Sequence, residues 1–121
     1  MTLIDTSVWA NHFRASSTQL VELISTRSVG MHPFIVGELA VGNLRDRATT
    51  LDYLTRLPQA PLAEEREVHH LLESRRLWGT GVGWIDLHLL ASAALAGWDV
   101  LTADRVLKSA AVAMGLAHPD R

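Results

Sequence analysis

The sequence predicts an α/β fold in which a short, mainly parallel central sheet has helices on both of its faces. Short apolar segments alternate with amphipathic helical patterns along the chain, as is typical of parallel sheets with helical crossovers. The length of 121 residues suits one domain with a substantial core. We find no repeat, linker or low-complexity tract, so residues 1–121 are expected to form a single domain.

The composition narrows the chemistry that the chain can perform. It has no cysteine, which excludes thiol catalysis, disulfides and zinc-thiolate sites and fits a reducing cytoplasm. A formal net charge of −2 argues against a broad basic surface, while pairs of basic residues leave room for local phosphate contacts. No secretory signal is visible, and the longest apolar-rich run, Leu87 to Trp98, is too short to span a bilayer. We expect a cytoplasmic protein that is not bound to a membrane.

The first predicted strand and helix lie at the amino terminus. An apolar pair ahead of Asp5 predicts a short buried strand that ends in this acid. The next helix is predicted to be capped by Thr6 or Ser7 and to run to Phe13. A carboxylate at the carboxyl end of a strand faces the crevice in which α/β sheets bind ligands. Asp5 is therefore a candidate site residue.

Local signals also predict the elements in the middle of the chain. Ser16 lies three residues before Gln19, a capping-box spacing that indicates the start of the second helix. Pro33 suits the first position of the third helix, where its missing N–H costs nothing. Pro58 stops the fourth helix. The predicted helices are 16–27, 33–44, 45–57 and 63–78, and the predicted strand is 29–31, with a further short strand possible in the connector near Pro61.

The last third of the chain is predicted to add strands and helices to the same sheet. The segment 79–83 has glycine at every second position but lacks the GK[ST] ending of a phosphate-binding loop, so it is interpreted as a mobile loop beside a crevice. Gly97 and Gly115 are predicted helix stops. The predicted helices are 84–96 and 105–114, and the predicted strands are 99–102 and 116–118.

Four acids have sequence positions that would allow them to meet. Asp5 and Asp104 follow strands and Asp86 begins a helix, and all three positions lie on the carboxyl-end rim of a parallel sheet. Glu38 lies on an otherwise apolar helix and has no basic residue at three- or four-residue spacing. Converging carboxylates repel each other unless a cation joins them, and oxygen ligands without cysteine suit Mg²⁺ or Mn²⁺.

Each acid also has a simpler structural explanation. Asp86 and Asp104 are good helix N-caps, Asp5 suits an Asx turn or a cap, and Glu38 suits an exposed helical position. Spacing alone does not decide whether the acids converge. The histidines have no visible partner and are interpreted as structural or surface residues, with His12 alone close enough in sequence to the first acid to be considered as a base.

Four segments of the chain, in family order and over essentially its whole length, resemble the motifs of PIN-domain ribonucleases. They are Asp5-Thr6-Ser7-Val8-Trp9, Pro33-Phe34-Ile35-Val36-Gly37-Glu38-Leu39-Ala40, Gly83-Trp84-Ile85-Asp86-Leu87-His88-Leu89-Leu90-Ala91-Ser92-Ala93 and Leu101-Thr102-Ala103-Asp104. The chain most resembles the VapC-type toxins of bacterial toxin–antitoxin systems. This resemblance implies a three-layer α/β/α sandwich.

The resemblance also implies roles for individual residues. The catalytic acids that it implies are Asp5, Glu38, Asp86 and Asp104, of which Asp5 and Asp86 are taken to hold Mg²⁺, with Mn²⁺ as a substitute. Thr6 and Thr102 match hydroxyl positions that support the pocket in the family. No further acid directly follows Asp104, so one metal ion is expected rather than two.

The function implied by the resemblance is metal-assisted hydrolysis of RNA phosphodiester bonds by the toxin of a toxin–antitoxin system. It also implies a homodimer and a cognate VapB-type antitoxin that covers the site. Three alternatives remain open: a metal-dependent nuclease that acts on DNA, a non-catalytic α/β binding module and a phospho-acceptor receiver domain. The receiver domain is disfavoured because Asp5 has no acidic neighbour and Asp52 falls in a helical leucine pattern.

Overall fold

The computed structural model describes residues 1–119, which form a three-stranded parallel sheet and seven helices. The strands are β1 (Thr2–Ile4), β2 (Val29–Gly30) and β3 (Asp99–Leu101), in the spatial order β2-β1-β3. The helices are α1 (Thr6–Arg14), α2 (Thr18–Ser25), α3 (Pro33–Ala40), α4 (Arg47–Arg56), α5 (Glu65–Ser74), α6 (Trp84–Ala96) and α7 (Arg105–Ala113). This arrangement confirms the predicted α/β class with a short parallel sheet.

The central position of β1 follows from its apolar sequence. Every residue of β1 is buried, and the strand pairs in parallel with both neighbours: Leu3, for example, lies opposite Gly30 on one side and Val100 on the other. A strand that is paired on both edges and covered on both faces has no polar side, so its sequence does not alternate. The carboxyl end of β1 consequently lies next to the carboxyl end of β3.

The core surrounds this strand. Leu3 and Ile4 are fully buried together with Trp9 of α1 and Leu89 and Leu90 of α6. Burial of each such side chain contributes about 1.5–3 kcal/mol to folding. The helices that follow β1 and precede β3 are therefore held firmly against the sheet.

Glycine is required at position 30 of β2 because the side chain of Trp98 packs against the backbone there. A Cβ atom at this position would lie 2.3 Å from the Cζ3 atom of Trp98, which is closer than any real contact. The indole ring thus covers the strand where only glycine leaves room for it.

Two predicted helix caps are displaced by one residue or more. The predicted strand ended at Asp5, but β1 ends at Ile4 and Asp5 holds the N-cap position of α1, so the predicted cap at Thr6 or Ser7 is wrong. The N-cap of α2 is Ser17 rather than Ser16, since Ser17 Oγ accepts a hydrogen bond from the Leu20 N–H.

Helices α3, α4 and α5 are shorter than predicted. The third helix ends at Ala40 rather than near residue 44, and α4 begins only at Arg47, because Asp46 before it has a left-handed backbone with φ of 45°. Helix α5 begins after a capping box formed by Glu64 and Glu67 and ends at Ser74, four residues before the predicted end. Apolar residues at helical spacing continue beyond the observed helix ends, which is why longer helices were predicted.

The chain after α5 follows its predicted course closely. Helix α6 has the predicted bounds and ends at Gly97, whose φ is 70°. The strand predicted at 116–118 is reduced to a single bridge between Val100 and Ala117, and the strand suggested near Pro61 is replaced by a bridge between Met31 and Gln59. Among residues 1–119, no helix combines the length and the apolar character that crossing a membrane requires.

Candidate active site

Asp5 lies between two hydroxyl groups that donate to the same carboxylate oxygen. Ser7 Oγ donates to Oδ2 at 2.7 Å, and Thr102 Oγ1 donates to the same atom at 2.8 Å. Asp5 is 6% exposed, and its side chain makes no capping hydrogen bond to α1. Hydrogen bonds to an ionised carboxylate are among the stronger ones in proteins. The side chain is therefore held in one orientation at the end of β1 instead of serving as a helix cap.

The two hydroxyl groups also join the ends of β1 and β3. Ser7 Oγ accepts from the Ala103 N–H at 3.1 Å, and Thr102 Oγ1 accepts from the Asp104 N–H at 3.0 Å. The family resemblance indicated a supporting role for Thr102, whereas Ser7 was predicted only as a helix cap. The available signal for Ser7 was a hydroxyl two residues after an acid at a strand end. Its partner after β3, the Ala103 N–H, is distant in sequence and could not be predicted.

Glu38 is positioned by a hydroxyl of α1. Thr6 Oγ1 donates to Glu38 Oε1 at 2.8 Å, and this bond connects α1 to α3. The glutamate itself is exposed, as the simpler explanation of its position required. It nevertheless lies at the rim beside the first helix, with one oxygen already oriented.

The pKa of Asp86 reflects both its burial and the charges of the other three acids. The pKa of its carboxyl group is raised from 3.8 to about 6, first by desolvation on burial and then by the charges of Asp5, Asp104 and Glu38, while a hydrogen bond from the Gly83 N–H acts in the opposite direction. A negative charge raises the pKa of a neighbouring carboxyl group only when the two groups are near each other. Asp5, Glu38 and Asp104 therefore lie within electrostatic range of Asp86.

Asp104 is also a helix cap. Its Oδ1 accepts hydrogen bonds from the Val106 N–H at 2.8 Å and the Leu107 N–H at 3.2 Å. The capping explanation is therefore correct for this residue. Its charge still acts on Asp86, so capping and membership of the acidic cluster do not exclude each other.

The donor set suits a hard divalent cation in its chemistry. Carboxylate oxygens are the preferred ligands of Mg²⁺, and the repulsion that raises the pKa of Asp86 is the kind of strain that a bound cation relieves. Within residues 1–119, however, no three acidic or histidine side chains converge closely enough to form a ready-made metal centre. Binding would therefore require these side chains to move closer together.

A buried histidine ties together the helices that carry Glu38 and Asp86. His32 is fully buried at the N-cap of α3, where its Nδ1 accepts from the Phe34 N–H at 3.0 Å. Its Nε2 lies 3.1 Å from Ser92 Oγ on α6. Because Nδ1 is an acceptor, the proton of the neutral ring is on Nε2, which donates to the serine. His32 is therefore a structural residue, as predicted for the histidines, but it has partners that no sequence pattern indicated.

The charge state of His32 predicts a loss of stability in acid. Burial first, and the charge of His88 second, lower the pKa of His32 from 6.5 to about 4. The unfolded chain binds this proton at higher pH than the folded chain does, so the free energy of unfolding falls as the pH drops through this range, by about 3 kcal/mol in total. Asp86 has the opposite effect on the free energy of unfolding over the same pH range. The effect of His32 should therefore be measured by denaturant titration of a chain that carries Asp86→Asn.

The control for this prediction is a chain that also carries His32→Gln. The glutamine has a donor and an acceptor but does not titrate. The free energy of unfolding of this double variant is therefore expected to change less between neutral pH and pH 4 than that of the Asp86→Asn chain. Equal pH dependence in the two chains would contradict the assignment of the acid sensitivity to His32.

Two kinds of comparison with known proteins agree on the family. The PIN domain family profile matches residues 2–113. The chain is 45% identical over 118 residues to a protein named Ribonuclease VapC32 from Mycobacterium tuberculosis, and the match covers 97% of this chain and 95% of that protein.

Solved structures share the fold at low sequence identity. A structure of FitAB bound to an IR36 DNA fragment has a TM-score of 0.69 and 17% identity over 100% of this chain and 99% of that one. FitAcB from Neisseria gonorrhoeae has a TM-score of 0.66 and 18% identity over 93% of this chain and 94% of that one. At such identities the likeness supports the fold alone.

Proposed function

The chain belongs to the PIN-domain family as a VapC-type ribonuclease toxin, and from this premise we propose that it is a Mg²⁺- or Mn²⁺-dependent endoribonuclease. The bond that it hydrolyses is an RNA phosphodiester, and the site is the acidic cluster around Asp5. The observation that carries the proposal is the carboxylate of Asp5, which hydrogen bonds from Ser7 and Thr102 fix at the end of β1. Asp86 lies within electrostatic reach of this carboxylate and of those of Asp104 and Glu38.

Asp5 and Asp86 are the proposed ligands of the divalent ion, with Glu38 and Asp104 as the other catalytic acids. When bound, the ion would lower the pKa of a water molecule and offset negative charge on the phosphate. Ser7 and Thr102 orient the carboxylate of Asp5 through their hydrogen bonds to Oδ2.

The remaining acids have different supports. Thr6 orients Glu38 at the rim, where the carboxylate can receive or release the proton of a water that approaches the phosphate. Asp104 contributes negative charge while it caps α7, which is consistent with a lesser role for this acid. His12 is not needed as a base, because its Nδ1 accepts from the Ser17 N–H at the start of α2.

The biological setting of the proposed activity is a toxin–antitoxin system in the cytoplasm. A VapB-type antitoxin is the partner that membership of the VapC group implies. A basic side chain of such a partner would compete with the cation for the carboxylates. A homodimer is also part of the proposal, and exposed apolar side chains such as Trp78 and Leu95 are available for partner contacts.

Cleavage by antitoxin-free protein tests the proposed function. We expect the protein to cut a structured RNA when Mg²⁺ or Mn²⁺ is added and EDTA to abolish the cutting, because the carboxylates alone cannot activate water or stabilise phosphate charge. The measurement is gel analysis of labelled RNA alongside DNA of the same sequence.

The alternatives give different patterns in the same assay. Cleavage that continues at full rate in EDTA would contradict metal dependence, and cleavage of the DNA alone would indicate a DNA nuclease. A chain that binds its partner but cuts neither nucleic acid would be a non-catalytic binding module.

A further inference from the structure

A groove of about 750 Å³ begins at the acidic site and continues away from it. One wall is a single face of α1, formed by Thr6, Ala10, Phe13 and Arg14, whose spacing of three and four residues places them on one side of a helix. The other wall is the segment from Leu39 through the turn between α3 and α4. We call this cavity the flanking groove.

The flanking groove is continuous with the proposed catalytic acids. Thr6 and Glu38, which are joined by a hydrogen bond of 2.8 Å, line the groove as well as the site. The rise of 1.5 Å per residue places Arg14 about 12 Å from Thr6 along the helix axis. A nucleic acid strand cut beside Glu38 would therefore pass Arg14 within a few nucleotides.

Two arginines in the flanking groove have no acidic partner within residues 1–119. Arg14 and Arg45 both line the groove and are exposed, and within residues 1–119 neither forms an ion pair. Arg14 is held along α1 by a hydrogen bond from its Nη2 to Asn11 Oδ1. By contrast, Arg56 and Arg66 pair with Asp52 and Glu64.

The groove also offers an aromatic surface. The Phe13 side chain is 43% exposed, and its ring is held by Trp9 at a centroid distance of 5.8 Å. Exposed aromatic rings beside a cationic groove are typical of sites for single-stranded nucleic acid, where bases stack and phosphates meet arginine. The acid on this wall, Asp46, precedes α4 and so lies at the positive end of that helix dipole.

We propose that the flanking groove binds the single-stranded RNA next to the cleaved bond, with Arg14 and Arg45 contacting phosphates and Phe13 contacting a base. This inference rests on the proposed function, because it extends the substrate away from the same acids. The two arginines and the exposed ring favour a nucleic acid strand over a protein segment as the occupant.

The salt dependence of RNA binding tests the inference separately from cleavage. The probe is a labelled single-stranded RNA of about twelve nucleotides, followed by fluorescence anisotropy in EDTA at several low salt concentrations. Each phosphate contact contributes about 0.7 to the slope of log K against log salt for a single strand. Arg14→Gln with Arg45→Gln is therefore expected to reduce the slope by about 1.4 and the affinity at low salt by about tenfold.

The matched control is Arg56→Gln with Arg66→Gln, which removes the same charge from exposed, paired arginines outside the groove and should leave the slope unchanged. Phe13→Leu should lower the affinity without changing the slope, because stacking does not release counterions. Circular dichroism and thermal unfolding verify that each variant is folded.

Three outcomes would overturn the inference: no RNA binding by the wild-type chain, an equal loss of slope in the control, or an unchanged slope in the groove variant. If the slope falls as expected but the wild-type chain cuts no RNA with added metal, the groove assignment stands and the proposed endoribonuclease activity fails.

Discussion

Asp5→Asn is expected to lower the rate of RNA cleavage by about a thousandfold or more while the chain remains folded. The amide oxygen can still accept hydrogen bonds from Ser7 and Thr102, so the end of β1 keeps its geometry. A neutral amide, however, lacks the charge that holds a divalent cation. The measurement is the initial rate of cleavage at saturating Mg²⁺, with circular dichroism to verify the fold.

Asp52→Asn is the control for this substitution. Asp52 lies on α4 and pairs with Arg56 on the exposed surface, so its replacement removes the same charge without touching the acidic cluster. Its cleavage rate should match that of the wild-type chain. Full activity in the Asp5→Asn chain would show that the catalytic centre lies elsewhere.

Asp86→Asn is expected to abolish cleavage and, in EDTA, to make the folded protein more stable at neutral pH. The folded-state pKa of about 6 lies above the ordinary value of 3.8, so the ionised carboxylate costs stability at neutral pH. With allowance for partial exposure to solvent, removal of this charge should raise the free energy of unfolding by about 2 kcal/mol. The asparagine oxygen retains an acceptor for the Gly83 N–H.

The pH dependence gives this prediction its sign. The folded wild-type chain binds a proton at Asp86 more tightly than the unfolded chain, so its stability rises as the pH falls from about 6 toward 3.8. The advantage of the variant should therefore be largest at neutral pH and disappear near pH 4. Urea titrations at a series of pH values measure this difference, and a variant less stable than wild type at neutral pH would contradict it.

Added Mg²⁺ supplies an independent check on the same charge. A ligand that binds the folded state alone raises its stability by mass action. The wild-type chain should therefore gain stability when Mg²⁺ is added, whereas the Asp86→Asn chain should gain much less. An equal gain in both chains would indicate that the cation binds away from the acidic cluster.

Much of the fold was predictable because its signals are local. The stop of α6 at Gly97 depends on a left-handed residue that glycine adopts without strain, and Pro33 suits the first position of α3 through its fixed φ. The start of α2 was predicted wrongly because it depends on a contact with a residue outside that helix. Whether Ser16 or Ser17 caps α2, for example, is decided partly by His12, whose Nδ1 accepts from the Ser17 N–H.

The α/β alternation, the apolar central strand and the family motifs could be predicted from residue type and spacing along the chain, and so could the four candidate acids. Only the tertiary structure decided what the acids do with their oxygens: Asp5 leaves the helix uncapped and accepts from Ser7 and Thr102, whereas Asp104 caps α7. It also placed His32 against Ser92 and Trp98 over Gly30. The His32–Ser92 and Asp5–Thr102 hydrogen bonds join residues 60 and 97 positions apart, and no local pattern encodes which distant partner satisfies a buried polar group.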